Sequence, residues 1–537
     1  MRSGEVELAV QVRGTSGPVV VLVHGYPDTH AVWDRVAALL ENDFRVVTYD
    51  VRGAGASTAP STEDGYRLEH LARDLFAVID EVSPDEPVHL VGHDWGSVQA
   101  WEAVTTPGAR IATFTSISGP CLDHLGHWSR RGLSVARVKQ LFRSWYIGLF
   151  LLPVVAPLIW RLYLARRWGD VLRRAEGVRT TPAPTIASDA VNGISLYRAN
   201  IRQVMGAPRE RVAPMPVQVV QPTRDRYIRT EPLDLERWVP ALSRRRIAAG
   251  HWAPLSHPEP LARMIGEFVA GSTPPRPLVV ITGGGSGIGK ATAVAFAKTG
   301  ARVVVSDVDF ASAEKTAALT GGHAYEVDVR SEEAVRAWAR RVADEHGVPD
   351  VVVNNAGIAH SGSFLSTSGE QWKRVLDVNL WGVIHGCRAF GELMVQRGEG
   401  GHIVNLSSVA AYLPSKILSA YASSKAAVFM LSECLRAELA PHAIGVTAIC
   451  PGLVHTNITA TATFSGVSAE EERRKQTRAT RIYAQRGFGP EGVAAEIVRA
   501  VRANRPVVPV TVEAKAARLA GRVAPGLLRA FARLDPS

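Results

Sequence analysis

The chain has 537 residues, more than one hydrophobic core organises, so two to four domains of roughly 150 residues are expected. Hydrophobic residues make up 46% and charged residues 21%, which is ordinary globular usage and excludes wholesale disorder. The net charge is +10, and residues 128–180, with eleven Arg or Lys against two acids, supply +9 of it. Such a surface suits nucleic acid, an anionic membrane or an acidic substrate, or it is a solvated face without a partner. No nucleic-acid recognition motif accompanies it.

In chain order, strand-like sequence starts at once (6–12), with no apolar leader before it, so no signal peptide is expected. PVVVLVHGYPD (18–28) is an apolar strand ending in a turn. VHLVGHDWGSVQAW (88–101) is a buried strand, a glycine-flanked residue and a helix, the form of a nucleophile elbow. Its central residue is Asp94, where esterases and lipases carry Ser. A carboxylate needs no base to ionise it, attacks an sp3 carbon and leaves an ester that a second step must hydrolyse. The substrates are then carbons with a good leaving group, or strained rings such as epoxides. As a bare βα-turn residue, Asp94 would be a helix cap.

From about 121 to 210 the strand–helix rhythm lapses into basic, aromatic, helix-like sequence, as in a lid over a site. Its most apolar stretch, 146–160, is broken by Pro153 and Pro157 and is too short to span a bilayer. Strand-like sequence returns at 216–221, with Asp225 just beyond it. His251, in AGHWAPLSHPEPL (249–261), suits the base that activates water, with Asp225 orienting it. His257 and Asp234 are the rivals. The backbone N–H groups of Tyr26 and Trp95 form a candidate oxyanion hole.

HGYP (24–27), DVRGAGAS (50–57), GHDWGS (92–97) and AGHW (249–252) together resemble the epoxide hydrolase branch of the α/β-hydrolase fold over about residues 4–270. The resemblance implies Asp94 as nucleophile, His251 as base, Asp225 as its charge partner, and two lid tyrosines that protonate the epoxide oxygen. The matching positions are Tyr197 in ISLYRAN and Tyr146 in SWYIGLFLLP, with Tyr163 as rival to Tyr146 and lid packing as the plainer role of both. The haloalkane dehalogenase branch shares the Asp nucleophile and is the alternative.

A Pro/Ser/Gly-rich stretch, 272–277, reads as a linker between a first domain at 1–271 and a second at 278–537. TGGGSGIG (282–289) follows an apolar strand (278–281) and opens a helix expected over 290–299, where a pyrophosphate can approach the helix N-terminus. Thr282, Gly283, Ser286, Gly287, Ile288 and Gly289 are the candidate cofactor contacts. Asp307 lies eighteen residues beyond Gly289 and suits both ribose hydroxyls, which favours NAD over NADP.

TGxxxGxG with NNAG (354–357) resembles the short-chain dehydrogenase/reductase family over about 278–510. Ser408, with Ser407 as rival, lies thirteen residues before Tyr421, and YASSK ends at Lys425. Tyr is a poor base near its usual pKa of about 10. Lys425, one helical turn away, brings a charge that favours the tyrosinate. The resemblance implies that Asn379 holds a water in a proton relay and that Asn355, Ala356 and Gly357 line the cofactor groove. It places Asp328 at the adenine, and Pro451, Gly452 and Thr456 at the nicotinamide end. It also implies a dimer or tetramer.

The tail, 511–537, mixes basic residues with Leu519, Val523, Leu527, Leu528, Phe531 and Leu534. It reads as an interfacial membrane helix or as a helix docked on its own domain or on a partner subunit. The four cysteines form no CxxC or metal-ligand pair and are expected to be reduced, buried thiols of a cytoplasmic protein. No metal is expected.

The order hydrolase, linker, dehydrogenase resembles the fused epoxide hydrolase–dehydrogenase proteins of mycolic-acid-making actinobacteria, which implies lipid-like substrates. The fold class expected is α/β throughout: a hydrolase fold with a helical lid, then a Rossmann-type doubly wound parallel sheet. The leading function is bifunctional. The alternatives are two unrelated activities on one chain, or one half serving only as a binding or oligomerisation module.

Overall fold

The computed structural model describes all residues except 131, 133, 134, 229–233, 272–275, 457, 459, 486 and 533–537. The chain separates into two compact units, Met1–Pro274 and Pro275–Ser537. Most of the stretch read as a linker lies outside the described residues.

The first unit is built on strands β1 (Val10–Arg13), β2 (Val19–Val23), β3 (Arg45–Tyr49), β4 (Val88–His93), β5 (Ile111–Ile117), β6 (Val217–Pro222) and β7 (Leu242–Ile247). They form one sheet in the order β1-β3-β2-β4-β5-β6-β7, with β1 antiparallel to β3 and the rest parallel. The central strands are runs of Val, Leu and Ile because helices cover both faces. The strand-like N-terminus is broken into Val6–Glu7 and β1. The region expected to be a lid forms a succession of helices, from Leu122–Ser129 to Ile186–Gly206, inserted between β5 and β6.

The turn after β4 needs Gly96. A Cβ there would lie 2.2 Å from the Val23 carbonyl oxygen, and that backbone cannot yield. Gly96→Ala is therefore expected to destabilise this unit by about 2–3 kcal/mol through overpacking. Its urea midpoint should fall while that of the second unit holds.

The second unit has strands β8 (Leu278–Thr282), β9 (Arg302–Asp307), β10 (His323–Glu326), β11 (Val351–Asn354), β12 (Gly401–Leu406), β13 (Ile444–Cys450) and β14 (Val507–Pro509). The order is β10-β9-β8-β11-β12-β13-β14, all parallel. The order reverses between β8 and β11, and ligands bind at the carboxyl ends of strands at such a switch point. The helix after β8 runs Gly287–Ala297, three residues earlier than the sequence suggests, because the glycines join its first turn. The tail forms helices Val512–Val523 and Pro525–Phe531; Ala514 and Ala517 of the first are buried, and Leu519 and Val523 stay exposed. The side chains of Leu527, Phe531 and Leu534 lie outside the described residues.

Cys121, Cys387 and Cys450 are buried, but Cys434 is exposed, on a turn of the helix Ser419–Leu439 that faces away from the core. Among the described residues no group of His, Cys, Asp and Glu is arranged to hold a metal, and no helix is long and apolar enough to cross a membrane.

Candidate active sites

Asp94 sits at the sharp corner between β4 and the helix Trp95–Val104, with φ 52° and ψ −124°. That conformation is sparsely populated for a residue with a side chain, and such strain clusters at working sites. The Tyr26 N–H donates to Asp94 Oδ1 at 2.9 Å. His24 fixes the loop that carries Tyr26: its ring bonds the Gly25 carbonyl at 2.9 Å and accepts the Val51 N–H at 2.9 Å. Trp95 opens the helix, so its N–H belongs to the first turn, which has no intrahelical acceptor.

His251 lies between two carboxylates. Its Nε2 is 3.4 Å from Asp94 Oδ2 and its Nδ1 is 2.9 Å from Asp225 Oδ2. The other Asp225 oxygen accepts the N–H groups of Tyr227 and Ile228 at 2.7 and 3.1 Å, which holds the carboxylate in place. Burial alone would discharge this cluster. The two carboxylates nevertheless hold His251 well above the usual imidazole range. His251 in turn holds both acids below theirs, against burial. The rivals stand apart: Asp234 is exposed at the start of a short helix, and His257 caps Pro258–Ala270 with its ring on Ser256.

Tyr146 and Tyr197 come together in the field of Asp94, their ring centroids 6.2 Å apart. Tyr197 packs edge-on to Trp95 at 4.8 Å and to Tyr26 at 5.5 Å. Burial, with Asp94 nearby, pushes both hydroxyls far above the usual tyrosine range, so both keep their protons at neutral pH. Tyr163 is exposed under Arg167 and does not face the site.

Three groups here escape the sequence reading. Asp28 follows HGYP directly; it accepts the Trp252 indole N–H at 2.8 Å, and burial raises its carboxyl to about 7. His93 bonds the His251 carbonyl at 2.9 Å, and burial drops its ring to about 4, so it stays neutral. Glu176, at the end of the lid helix Ala165–Glu176, accepts the His251 backbone N–H at 3.1 Å. Asp28 and His93 carry a signal, their places beside HGYP and within GHDWGS; Glu176 carries none, being 75 residues from its partner.

In the second unit the glycine loop is drawn tight. A Cβ on Gly289 would lie 2.1 Å from the Gly283 carbonyl oxygen, and Gly283 itself has φ +62°. Thr282 Oγ1 accepts the N–H groups of Asn355 and Ala356 at 3.0 and 3.2 Å, and the Asn355 amide donates to the Thr282 and Gly283 carbonyls. Ser286 precedes the helix, and Gly287, Ile288 and Gly289 form its first turn. Asp307, the last residue of β9, accepts the Gly285 N–H at 3.0 Å. A dinucleotide fits this cradle: the helix N-terminus for its pyrophosphate, Asp307 for a ribose. Thr456 lies against Gly287, and Gly452 is packed by Thr511 and Glu513 just after Pro451. Asp328 pairs with Arg330 at 2.6 Å on the surface.

Tyr421 is hydrogen-bonded to Ser408, whereas Ser407 is spent on the Lys425 carbonyl at 2.8 Å. Lys425 Nζ is 5.9 Å from the Tyr421 ring centroid and donates to the Leu406 carbonyl at 2.8 Å. Burial dominates both groups: it raises Tyr421 to about 12, with Ser408 opposing, and lowers Lys425 to about 8. The expected lowering of Tyr421 by Lys425 is not seen in this state, where burial and Ser408 set the hydroxyl. Asn379 sits in a π-helical turn, Asp377–Trp381, an irregularity common at functional sites. Its amide bonds the Ile358 N–H and carbonyl at 2.8 and 3.0 Å, and its oxygen and Lys425 Nζ both face Gly357.

Comparison with known proteins agrees with this division. The family model for the alpha/beta hydrolase fold matches residues 18–258, and that for short chain dehydrogenase matches residues 277–464. "Probable oxidoreductase EphD" of Mycobacterium tuberculosis and of Mycobacterium bovis is 45% identical, over 98% of this chain and 97% of that protein. Galactitol 2-dehydrogenase of Agrobacterium fabrum is 35% identical over 33% of this chain and 70% of its own. The crystal structure of a short chain dehydrogenase/reductase from Burkholderia phymatum in complex with NAD is 30% identical, with a TM-score of 0.42, over 49% of this chain and 98% of that one. The chain belongs to the EphD family of enzymes, in which an α/β-hydrolase domain and a short-chain dehydrogenase domain share one polypeptide.

Proposed function

We propose that the first unit hydrolyses a lipid-like epoxide to a vicinal diol, and that the second oxidises a secondary alcohol, or reduces the ketone, with NAD. The observation that carries the first half is the line Asp225–His251–Asp94, at 2.9 and 3.4 Å, with the Tyr146 and Tyr197 pair in the field of Asp94. Asp94 attacks one ring carbon, the C–O bond breaks, and Tyr146 or Tyr197 gives its proton to the leaving oxygen. The ester so formed carries no charge on Asp94. One of the two anions that keep His251 cationic is thereby lost; the imidazolium returns its proton to the tyrosinate, and the neutral imidazole then takes a proton from water. That water attacks the ester carbonyl, and the oxyanion is met by the N–H of Tyr26 and that of Trp95. Collapse releases the diol and restores Asp94. The tyrosine pair favours the epoxide over a haloalkane, whose halide needs no proton donor.

In the second unit the nicotinamide, when bound, exchanges a hydride with the carbinol carbon. Ser408 hydrogen-bonds the substrate oxygen, and Tyr421 takes or gives its proton. Asn379 pins the Ile358 backbone beside Lys425 and so fixes the floor of the groove. Asp307 supports NAD: a carboxylate suits two ribose hydroxyls and repels a 2′-phosphate. Asp307→Ala is expected to cut the preference of kcat/KM for NAD over NADP by roughly ten-fold, an ordinary value for one charged hydrogen bond. A variant that keeps the full preference would remove Asp307 from that role.

The test of the whole reading uses the full chain and a mid-chain epoxy fatty acid, with and without NAD. Diol is followed by mass spectrometry and NADH by absorbance. Diol alone, then a keto-alcohol with NADH once NAD is added, is the expected result. Diol without NADH assigns the two units different substrates, and no diol across several epoxides overturns the hydrolase reading.

A further inference from the structure

The lid has two faces of opposite use. Inward, Tyr146, Phe150 and Trp160 close over the site, with Phe150 4.9 Å from Tyr197 and Trp160 6.0 Å from Tyr26. Gln140 also turns inward, donating to the Tyr227 carbonyl at 2.8 Å. Outward, the same helices leave large apolar side chains in water: Leu141 and Phe142 are each 75% exposed, Trp145 70% and Leu162 69%. Large exposed apolar side chains concentrated in one part of a fold mark an interaction surface.

The charge around it is one-sided. From Asp123 to Asp170 there are eight Arg or Lys and, between those two residues, no Asp or Glu. Lys139, Arg161, Arg166 and Arg167 are exposed among the apolar residues. A second copy seated face to face would set this basic patch against itself. A nucleic acid would answer the charge but leave Leu141, Phe142 and Leu162 unburied. An anionic bilayer answers both, since its headgroups meet the guanidinium groups while the apolar side chains enter the acyl boundary. The lid helices Trp145–Phe150 and Val155–Ile159 are far too short to span it, so the contact is interfacial.

We propose that the outer face of the lid docks this protein on an anionic lipid surface, with the hydrolase site directly beneath the docked helices. The site is thereby set to take an epoxide from the membrane. The assignment falls on the lid and not on the tail, whose helix Val512–Val523 is tied to its own unit through buried Ala514 and Ala517.

The experiment is co-sedimentation of the full chain with vesicles of phosphatidylglycerol and phosphatidylcholine in equal parts, against phosphatidylcholine alone, at low and high salt. No substrate is present, so the result is independent of whether the unit hydrolyses epoxides. The chain is expected to sediment with the anionic vesicles at low salt. The variant L141D/F142D should lower partitioning roughly ten-fold or more, as loss of two inserted side chains requires. The variant R166Q/R167Q should bind more weakly and with a shallower salt dependence. An unchanged melting temperature establishes that each variant is folded. Absence of vesicle binding, equal binding to neutral vesicles, or full binding by folded L141D/F142D would overturn the proposal. So would sedimentation velocity in which L141D/F142D dissociates a self-associated species and leaves vesicle binding intact, which assigns the face to a second copy.

Discussion

His251→Gln is expected to turn the hydrolase into a protein that reacts once and stops. In mildly alkaline buffer Asp94 stays ionised without its cationic neighbour, and the Tyr26 N–H still holds Oδ1 at 2.9 Å. The epoxide therefore still opens. The ester then has no base to activate water, and turnover should fall by about 10²–10⁴-fold, the usual contribution of a general base. Intact-protein mass spectrometry should show a gain equal to one epoxide, and peptide mapping should place it on Asp94. Asp94→Asn should show neither turnover nor adduct. An adduct elsewhere, or undiminished turnover in His251→Gln, would remove the ester route.

Tyr421→Phe should have the complementary effect: alcohol oxidation falls by about 10²–10⁴-fold, while NAD binding and diol formation continue. Fluorescence titration with NADH and the epoxide assay read those two controls. The wild-type enzyme carries a further signature. With Tyr421 raised to about 12, its hydroxyl keeps its proton at neutral pH, so the group is present as the donor and scarcely as the base. Ketone reduction should thus dominate at neutral pH, and oxidation should rise as the solution becomes alkaline. An oxidation rate flat from neutral to alkaline pH would show that Tyr421 does not carry the proton.

What the sequence makes legible is what local spacing dictates. The elbow around Asp94 and the loop at 282–289 depend on glycines a few residues apart, because the backbone has to turn within that span. YASSK works the same way, since one helical turn separates Tyr421 from Lys425. The two layered sheets follow from apolar runs alternating with helices. Contacts made only by folding stay hidden. Ser407 and Ser408 are neighbours; spacing to Tyr421 favours Ser408, and the bond from Ser407 to the helix carbonyl of Lys425 removes its rival. The inward and outward faces of the lid share one composition, so Tyr146 and Tyr163 look alike until the helices are placed. The helix after β8 begins earlier than expected because glycines usually argue against a helix interior, yet suit its first turn when the chain must enter steeply. Cys434 was misjudged because burial of a thiol depends on which side of its helix meets the core.

The bond from the His251 N–H to Glu176 joins the cover of the hydrolase site to its proton acceptor at 3.1 Å. Any excursion that lifts the end of the helix Ala165–Glu176 must first release the backbone of His251. The end of the lid helix and the main chain of His251 are thus mechanically coupled, although 75 residues separate them in sequence.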